Sequence, residues 1–128
     1  MAIRVVRDDA AQRLTVTVTG GMTTAETREL MSQQLAHGTW HYGVVYDLER
    51  MTTSPNVDEL GGLAGHVDML SRDVRRGPVA IVGLSNPQQV ARVGEYCERL
   101  KADGFHIALF ASIAEAERWL DAQRTPNG

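Results

Sequence analysis

The sequence predicts an α/β domain in which an N-terminal β-hairpin leads into a mostly parallel, five-stranded sheet with four helices mainly on one face. Three observations predict it. Residues 13–20 alternate strictly between apolar side chains and threonines, as in a strand with one wet face. Helical and strand patterns alternate from residue 23 onward, which is typical of βαβ units. The later strands are continuous apolar runs, as expected of parallel strands covered on both faces.

The first two strands are predicted to pair as a hairpin. Residues 2–6 form a short β-branched run, and the polar segment 7–12 has the composition of a turn. Because this segment is so short, the strand at 13–20 pairs antiparallel with the first one. Its apolar side chains then face the core, and its threonines face water.

A helix and a third strand follow the hairpin. Thr23 with Glu26 forms a capping box, which predicts a helix over 23–37. Gly38 closes this helix in the C′ position, where a left-handed backbone is common. The apolar run 42–48 predicts the third strand.

The second helix is predicted to begin at Ser54 and Pro55, a hydroxyl N-cap followed by proline at the first helical position. Apolar residues at alternating spacings of three and four form its buried stripe: Leu60, Leu63, Val67, Leu70 and Val74. Gly77 ends this helix. Three arginines near its end complement the helix dipole, with an anion patch as the alternative: Arg72, Arg75 and Arg76.

Two strands and two helices complete the chain. Apolar runs at 78–84 and 105–110 predict the strands. Asn86 as N-cap and Pro87 as first helical residue begin a helix that runs to about Ala102. Four residues mark the inner face of that helix: Val90, Val93, Cys97 and Leu100.

The last helix is predicted over 112–123, because Ser112 with Glu115 forms a capping box. The tail at 123–128 is expected to fray. No linker or repeat interrupts the pattern, so residues 1–128 are predicted to form one domain. If each crossover moves the same way, all helices lie on one face. The outer faces of the later strands then need cover, which leaves a homodimer open.

Four segments resemble a known family: "LTVTVTGGMTTAE", "VVYDLERMT", "RRGPVAIVG" and "FHIALFASIAEAERWL". The sequence resembles the STAS domain superfamily, which comprises sulphate transporters and anti-sigma-factor antagonists. Within it, the chain is most similar to the stand-alone SpoIIAA-like branch, whose fold is related to CRAL-TRIO lipid-binding domains. The resemblance covers nearly the whole chain. It implies a mixed sheet with helices mostly on one face, and none of its motifs is a catalytic signature.

The resemblance also implies where a switch would lie. Signalling members carry a phosphorylatable serine in an Asp-Ser-Ser-Gly-like motif at the helix start after the third strand. That motif falls over 55–58 here, where none of the four residues matches. Asp47, Thr52, Thr53 and Ser54 are therefore candidates for a switch or ligand loop by position alone. The alternatives are an N-cap role for Ser54 and a hydrogen bond from Asp47 to the following loop.

Three glycines interrupt the second helix: Gly61, Gly62 and Gly65. They do not form a phosphate loop, because they lie inside the helix and no Gly-Lys-Ser or Gly-Lys-Thr follows. Each costs the helix about 1 kcal/mol relative to alanine. The sequence therefore predicts a compensating cause, either close packing or a mobile helix over a pocket for a lipid or small apolar ligand.

Composition excludes several classes of function. The chain has 13 Lys and Arg against 16 Asp and Glu, a net charge of −3, and no basic stripe, so nucleic acid is not an expected partner. The one cysteine, Cys97, excludes an internal disulfide and is interpreted as a small core hydrophobe. No apolar run approaches the ~18 residues of a membrane span, so a cytoplasmic location is expected.

Catalytic and metal constellations are not recognisable in the sequence. His37 and His41 lie on either side of a glycine with no third ligand in view, so a metal site is not expected. No serine, histidine and acid arrangement is evident, and no cofactor motif is present. We therefore expect a non-enzymatic regulatory or protein-interaction module with an unknown protein partner. The alternative is a small apolar-ligand or lipid-binding protein of CRAL-TRIO-like type, and an enzyme ranks third.

Overall fold

The computed structural model describes residues 2–53 and 56–124. Its five strands are β1 (Ala2–Asp8), β2 (Arg13–Gly21), β3 (Gly43–Thr53), β4 (Val79–Val82) and β5 (Ile107–Phe110). Its four helices are α1 (Thr24–Ala36), α2 (Val57–Leu70), α3 (Pro87–Ala102) and α4 (Ile113–Arg124). The predicted element order is confirmed.

The strands lie in the sheet in the same order as in the chain, from β1 to β5. β1 pairs with β2 antiparallel, and every later neighbour is parallel. Because each right-handed crossover steps the same way, the three crossover helices α1, α2 and α3 lie on one face. A mostly parallel sheet with its helices mainly on one face is thus confirmed.

The main core lies between these three helices and the sheet. Val16 of β2, Val44 of β3 and Ile81 of β4 point toward the helices and are buried. Trp40, in the connection after α1, is fully buried in the same core. Alternate residues of the strands point to the opposite face.

α4 covers that opposite face. Val45, Ala80 and Val82 pack there against Ala116 and Leu120 of the helix, and all five are buried. The expectation that every helix shares one face was therefore wrong, and α4 itself covers the outer faces of these strands. The sequence patterns do not determine on which face α4 lies, because no further strand follows it and no crossover constrains it.

An ion pair fastens α4 to the hairpin. Arg13 of β2 lies 2.6 Å from Asp121 and 3.6 Å from Glu117, and its side chain is only 12% exposed. Thr15 and Thr17, on the same face of β2, are half-buried, and only Thr19 is exposed. The threonine face of β2 was predicted to face solvent, and it does so only at the end of the strand, at Thr19.

α2 begins two residues later than predicted. Asn56 is its N-cap: the Asn56 side chain accepts the Glu59 N–H at 2.9 Å, and the Glu59 carboxylate accepts the Asn56 N–H at 3.0 Å. This capping box, with its two reciprocal hydrogen bonds, satisfies two backbone donors at once. Asn56 therefore takes the N-cap position that was predicted for Ser54. Ser54 and Pro55 lie outside the described residues.

α2 also ends earlier than its apolar stripe predicted. Its last residue is Leu70, Ser71 is the C-cap, and Val74 is 39% exposed. The chain turns here because the Gly77 N–H donates to the Trp40 carbonyl at 2.9 Å, which draws the segment before β4 into the core. The three arginines therefore do not lie in the last turn, and the helix-dipole interpretation was wrong.

The remaining boundaries agree closely with the patterns. The capping box at Thr23 and the Asn86–Pro87 helix start are confirmed, and Gly38 has the left-handed φ of +73°. Val90 differs: it is 37% exposed, because the inner face of α3 begins one turn later. α4 continues to Arg124, into the segment expected to fray, and residues 125–128 lie outside the described part of the chain.

The docking of α4 is testable by truncating its central contact. Leu120→Ala should lower the free energy of unfolding by about 2–5 kcal/mol, because Leu120 is 1% exposed against the sheet. Ile113→Ala, on the same helix but 39% exposed, is the control and should change it by less than about 0.5 kcal/mol. Urea unfolding followed by circular dichroism measures both; equal effects would contradict the docking.

Candidate functional site

Asp47 supports a β-bulge in β3. Between the pairs Thr17–Asp47 and Thr19–Arg50, β3 contains one more residue than β2. The Asp47 carboxylate accepts the Glu49 N–H at 3.1 Å, which satisfies a donor inside the bulge. The local hydrogen bond predicted for Asp47 is thus present, although it closes a bulge within the strand.

The candidate hydroxyls lie further along the same strand. Thr52 and Thr53 are the last residues of β3 and are exposed, and Ser54 lies outside the described residues. They precede the N-terminus of α2, whereas Asp47 is held earlier in the strand by its bulge. The structure therefore does not gather Asp47 and the threonines into one loop. The predicted strand 42–48 was too short because its apolar run ends at Leu48, whereas β3 continues past the bulge to Thr53.

A carboxylate of α2 itself, that of Glu59, already accepts a hydrogen bond at the N-terminus of the helix. The Glu59 carboxylate accepts the Asn56 N–H and also the Thr24 hydroxyl of α1, the latter at 2.6 Å. The Asn56 backbone N–H, and then the Thr24 hydroxyl, hold the pKa of Glu59 below its usual range. Asp58 adds a second carboxylate to this first turn. An anion placed here would meet two negative charges.

The glycines of α2 are not explained by close packing. A Cβ atom added at Gly65 would have nothing within 4 Å, and one at Gly61 would lie 3.4 Å from Nη1 of Arg99. At Gly62 the nearest atom would be Nη2 of Arg28, at 3.1 Å. These neighbours are the flexible ends of exposed side chains. At these glycines the outer side of α2 presents backbone without side chains, bordered by arginines of α1 and α3.

A narrow apolar groove of about 90 Å³ lies under α2, beside the carboxyl-terminal halves of β3 and β4. The residues that define this apolar groove come from the strands and helices around it: Met22, Thr27, Met31, Tyr46, Leu48, Met51, Leu60, Leu63, Ile81, Val93 and Tyr96. Methionine is flexible and adapts to irregular shapes. The groove can therefore adjust to an apolar guest.

Arg76 is a site residue whose burial the sequence interpretation missed, since that interpretation placed it at the end of α2 with an anion patch as the alternative. It is 8% exposed, and its guanidinium lies 4.0 Å from the centre of the Trp40 ring. Its Nη1 donates to Gln34 Oε1 at 2.8 Å and to the Trp40 carbonyl at 3.4 Å, and its Nη2 donates to the Tyr46 hydroxyl at 3.4 Å. Among residues 2–53 and 56–124, no carboxylate lies within 4.0 Å of it. No sequence pattern marks this burial.

A small inner cavity of about 40 Å³ lies beside Arg76, between the sheet and helices α2 and α3. Four of its lining residues also line the apolar groove: Met31, Tyr46, Ile81 and Tyr96. Burial raises the pKa of the Tyr96 phenol, and the positive charge of Arg76 only partly opposes this. Tyr96 is therefore a neutral hydrogen-bond donor between the two spaces.

The cysteine thiol is unreactive, and the potential metal ligands of the described residues do not cluster. Burial raises the pKa of the Cys97 thiol to about 11, so this thiol is protonated at neutral pH, as its core position predicted. The described part of the chain has no cluster of three or more His, Cys, Asp or Glu side chains able to hold a metal ion. Within the same residues, no helix combines the length and apolarity needed to cross a membrane.

The fold just described is that of an α/β protein with one antiparallel edge strand and a sheet ordered as in the chain. No protein-family model and no curated protein matches the sequence. Among solved structures, the chain is similar to the anti-sigma factor antagonist SpoIIAA in its unphosphorylated form. The two are 14% identical with a TM-score of 0.54, over 94% of this chain and 98% of that chain. The protein has the STAS fold of SpoIIAA, as predicted.

A second solved structure, of Mglu, aligns with 86% of this chain and 19% of that chain at 14% identity. The TM-score of this pair is 0.36.

The glycine geometry leads to a paired prediction. Gly65→Ala should raise the free energy of unfolding by about 1 kcal/mol, because the new methyl group has open space and alanine favours helix. Gly83→Ala, the control, should lower it by more than that, because Gly83 has φ +91° and its Cβ would lie 2.7 Å from the Glu49 nitrogen. Urea unfolding measures both. A destabilised Gly65→Ala variant would mean that the glycine is needed for the fold.

Proposed function

We propose that this protein is a non-enzymatic regulatory module that acts by binding a protein partner. The observation that supports it is the fold shared with SpoIIAA, an anti-sigma factor antagonist, over nearly the full length of both chains. Two side chains with reactive groups are also engaged in the fold, since Asp47 accepts a local backbone N–H and Cys97 is buried.

The partner surface that we propose is the outer side of α2. Gly62 and Gly65 are exposed there and present backbone without side chains, which lets another chain approach closely. Arg28 and Arg99 border this surface, and arginine is frequent in the energetically important part of interfaces. A partner with carboxylates at its rim would fit the surface.

We further propose that a hydroxyl of the segment Thr52–Ser54 is the modifiable one. A phosphate on Thr52 or Thr53 would add negative charge shortly before the acidic first turn of α2, where Asp58 and Glu59 lie. Like-charge repulsion would then disfavour the helix start and change the partner surface. This proposal depends on position in the fold, as the motif of the signalling relatives is missing.

The partner proposal is tested with two single carboxylates on opposite faces. Gly65→Glu places one on the outer side of α2, and Ala114→Glu places one on exposed α4, on the other face of the sheet. Proteins cross-linked to the wild type in its host should persist with Ala114→Glu and be reduced at least tenfold with Gly65→Glu. Mass spectrometry quantifies them. Equal capture by both variants, or no specific protein at all, would reject the proposal.

A second candidate function is supported by a different observation, the apolar groove under α2. We propose that it takes a small apolar ligand, and that the glycines let α2 move to admit it. Three methionines line the groove, and no packing contact offsets the cost of Gly61, Gly62 and Gly65.

Native mass spectrometry of protein purified from its own host tests the second function. A retained small molecule is the expected result. Replacing all three glycines with alanine should stiffen α2 and slow uptake of that molecule at least several-fold, whereas an alanine at exposed Glu115 of α4 should not. A bare protein, together with unchanged uptake of added 1-octanol by the triple variant, would contradict it.

A further inference from the structure

The polar groups around the inner cavity have hydrogens without acceptors. Gln34 Oε1 accepts an N–H of Arg76, so the amide nitrogen of Gln34 faces the Tyr46 hydroxyl at 3.2 Å. The Tyr46 oxygen therefore accepts from both Gln34 and Arg76. Its own hydroxyl hydrogen is left without a protein acceptor, because both of its neighbours are donors.

Tyr96 adds a second unused donor. Its hydroxyl has no hydrogen-bond partner in the described part of the chain, and its ring lines both the inner cavity and the apolar groove. Two phenol hydrogens and one guanidinium thus border the same small space. Both tyrosines are half-buried, so their phenol donors are open to an acceptor that a ligand brings.

The charge of Arg76 is also uncompensated. Its hydrogen-bond partners are an amide oxygen, a carbonyl and a hydroxyl, all of them neutral. A buried ion is costly unless a counter-charge lies close by, and stacking on Trp40 offsets only part of that cost. The group missing from this arrangement is an anionic acceptor.

We propose that the inner cavity binds the carboxylate of a small amphiphile, a monocarboxylic acid with an unbranched alkyl chain. The carboxylate accepts hydrogen bonds from Arg76, Tyr46 and Tyr96, and the chain passes between the two tyrosines into the apolar groove. This inference rests on the second candidate function and names the chemical class of its ligand.

The volumes favour a small head group. A water-sized centre occupies about 10–15 Å³, so the inner cavity of about 40 Å³ accepts roughly three heavy atoms, as many as a carboxylate contains. The groove of about 90 Å³ takes the alkyl chain, and its methionines repack around it. A phosphodiester head group is too large for the inner cavity as it stands.

Calorimetric titration of the wild-type chain with sodium octanoate and with 1-octanol tests the inference. The two probes have the same chain length and differ in the head group. Octanoate should bind at least tenfold more tightly than octanol at 0.15 M salt. Sodium acetate, which lacks the chain, should bind at least tenfold more weakly than octanoate.

Matched variants assign the effect to the cavity. Arg76→Met should reduce octanoate affinity to that of octanol. Tyr96→Phe should weaken octanoate binding several-fold while leaving octanol binding and unfolding unchanged, since its hydroxyl contributes no protein hydrogen bond. Tyr42→Phe removes a phenol that bonds Asp9 at 2.7 Å on the hairpin side, and should not alter octanoate affinity. Circular dichroism verifies the fold of each variant.

The outcomes separate this inference from the function on which it rests. If octanol binds as tightly as octanoate, the carboxylate site is wrong and the apolar groove remains a ligand site. If acetate matches octanoate, the cavity is a simple anion site and the proposed amphiphile is wrong. If neither octanoate nor octanol binds, both the inference and the second candidate function fail. Unchanged octanoate affinity in folded Arg76→Met or Tyr96→Phe would also overturn the site.

Discussion

Trp40 is the residue on which the arrangement of this molecule depends. Its ring is fully buried, and its indole N–H donates to the Ser71 hydroxyl at 3.1 Å, just past the end of α2. Its carbonyl accepts the Gly77 N–H before β4, and its ring supports the guanidinium of Arg76. One residue in the connection after α1, through its ring and its backbone carbonyl, thereby fixes the connection after α2. Neither the early end of α2 nor the burial of Arg76 follows from local sequence, because both depend on this contact.

The two candidate functions use opposite sides of one helix. The outer side of α2 presents exposed Gly62 and Gly65, while Leu60 and Leu63 on its inner side line the apolar groove. A ligand beneath the helix can change the outer surface only if it binds one position of α2 more tightly than another. Under that condition the two sites are coupled, and the coupling is reciprocal. Ligand binding and partner binding are thus compatible as two properties of one element.

How far the sequence predicted the structure depends on the range of the interaction. The caps at Thr23 and Asn86 were predictable because each is a contact between residues near in sequence. The length of β3 was not predictable, since the apolar run ends at Leu48 and the residues after the bulge belong to the strand through their pairing with β2. The same distinction applies to the candidate site: the glycines of α2 were visible as a local anomaly, whereas Arg76 gave no local signal. A basic residue three positions before β4 is indistinguishable in sequence from its exposed neighbour Arg75.

Two local costs in this fold lie in α2 and at Arg76. The glycines of α2 cost helix stability on one side of the apolar groove, and the buried charge of Arg76 costs desolvation free energy at the far side of the adjoining inner cavity. Replacing a buried ion with apolar side chains of similar volume is often neutral or stabilising, so Arg76 is weakly explained by stability alone. Elsewhere local preference and packing agree, as at the capping boxes and on the α4 face. Sequences that fold well violate such rules mainly where function requires it. Here the glycines lie on the outer side of the helix whose inner side lines the apolar groove, and Arg76 lines the inner cavity.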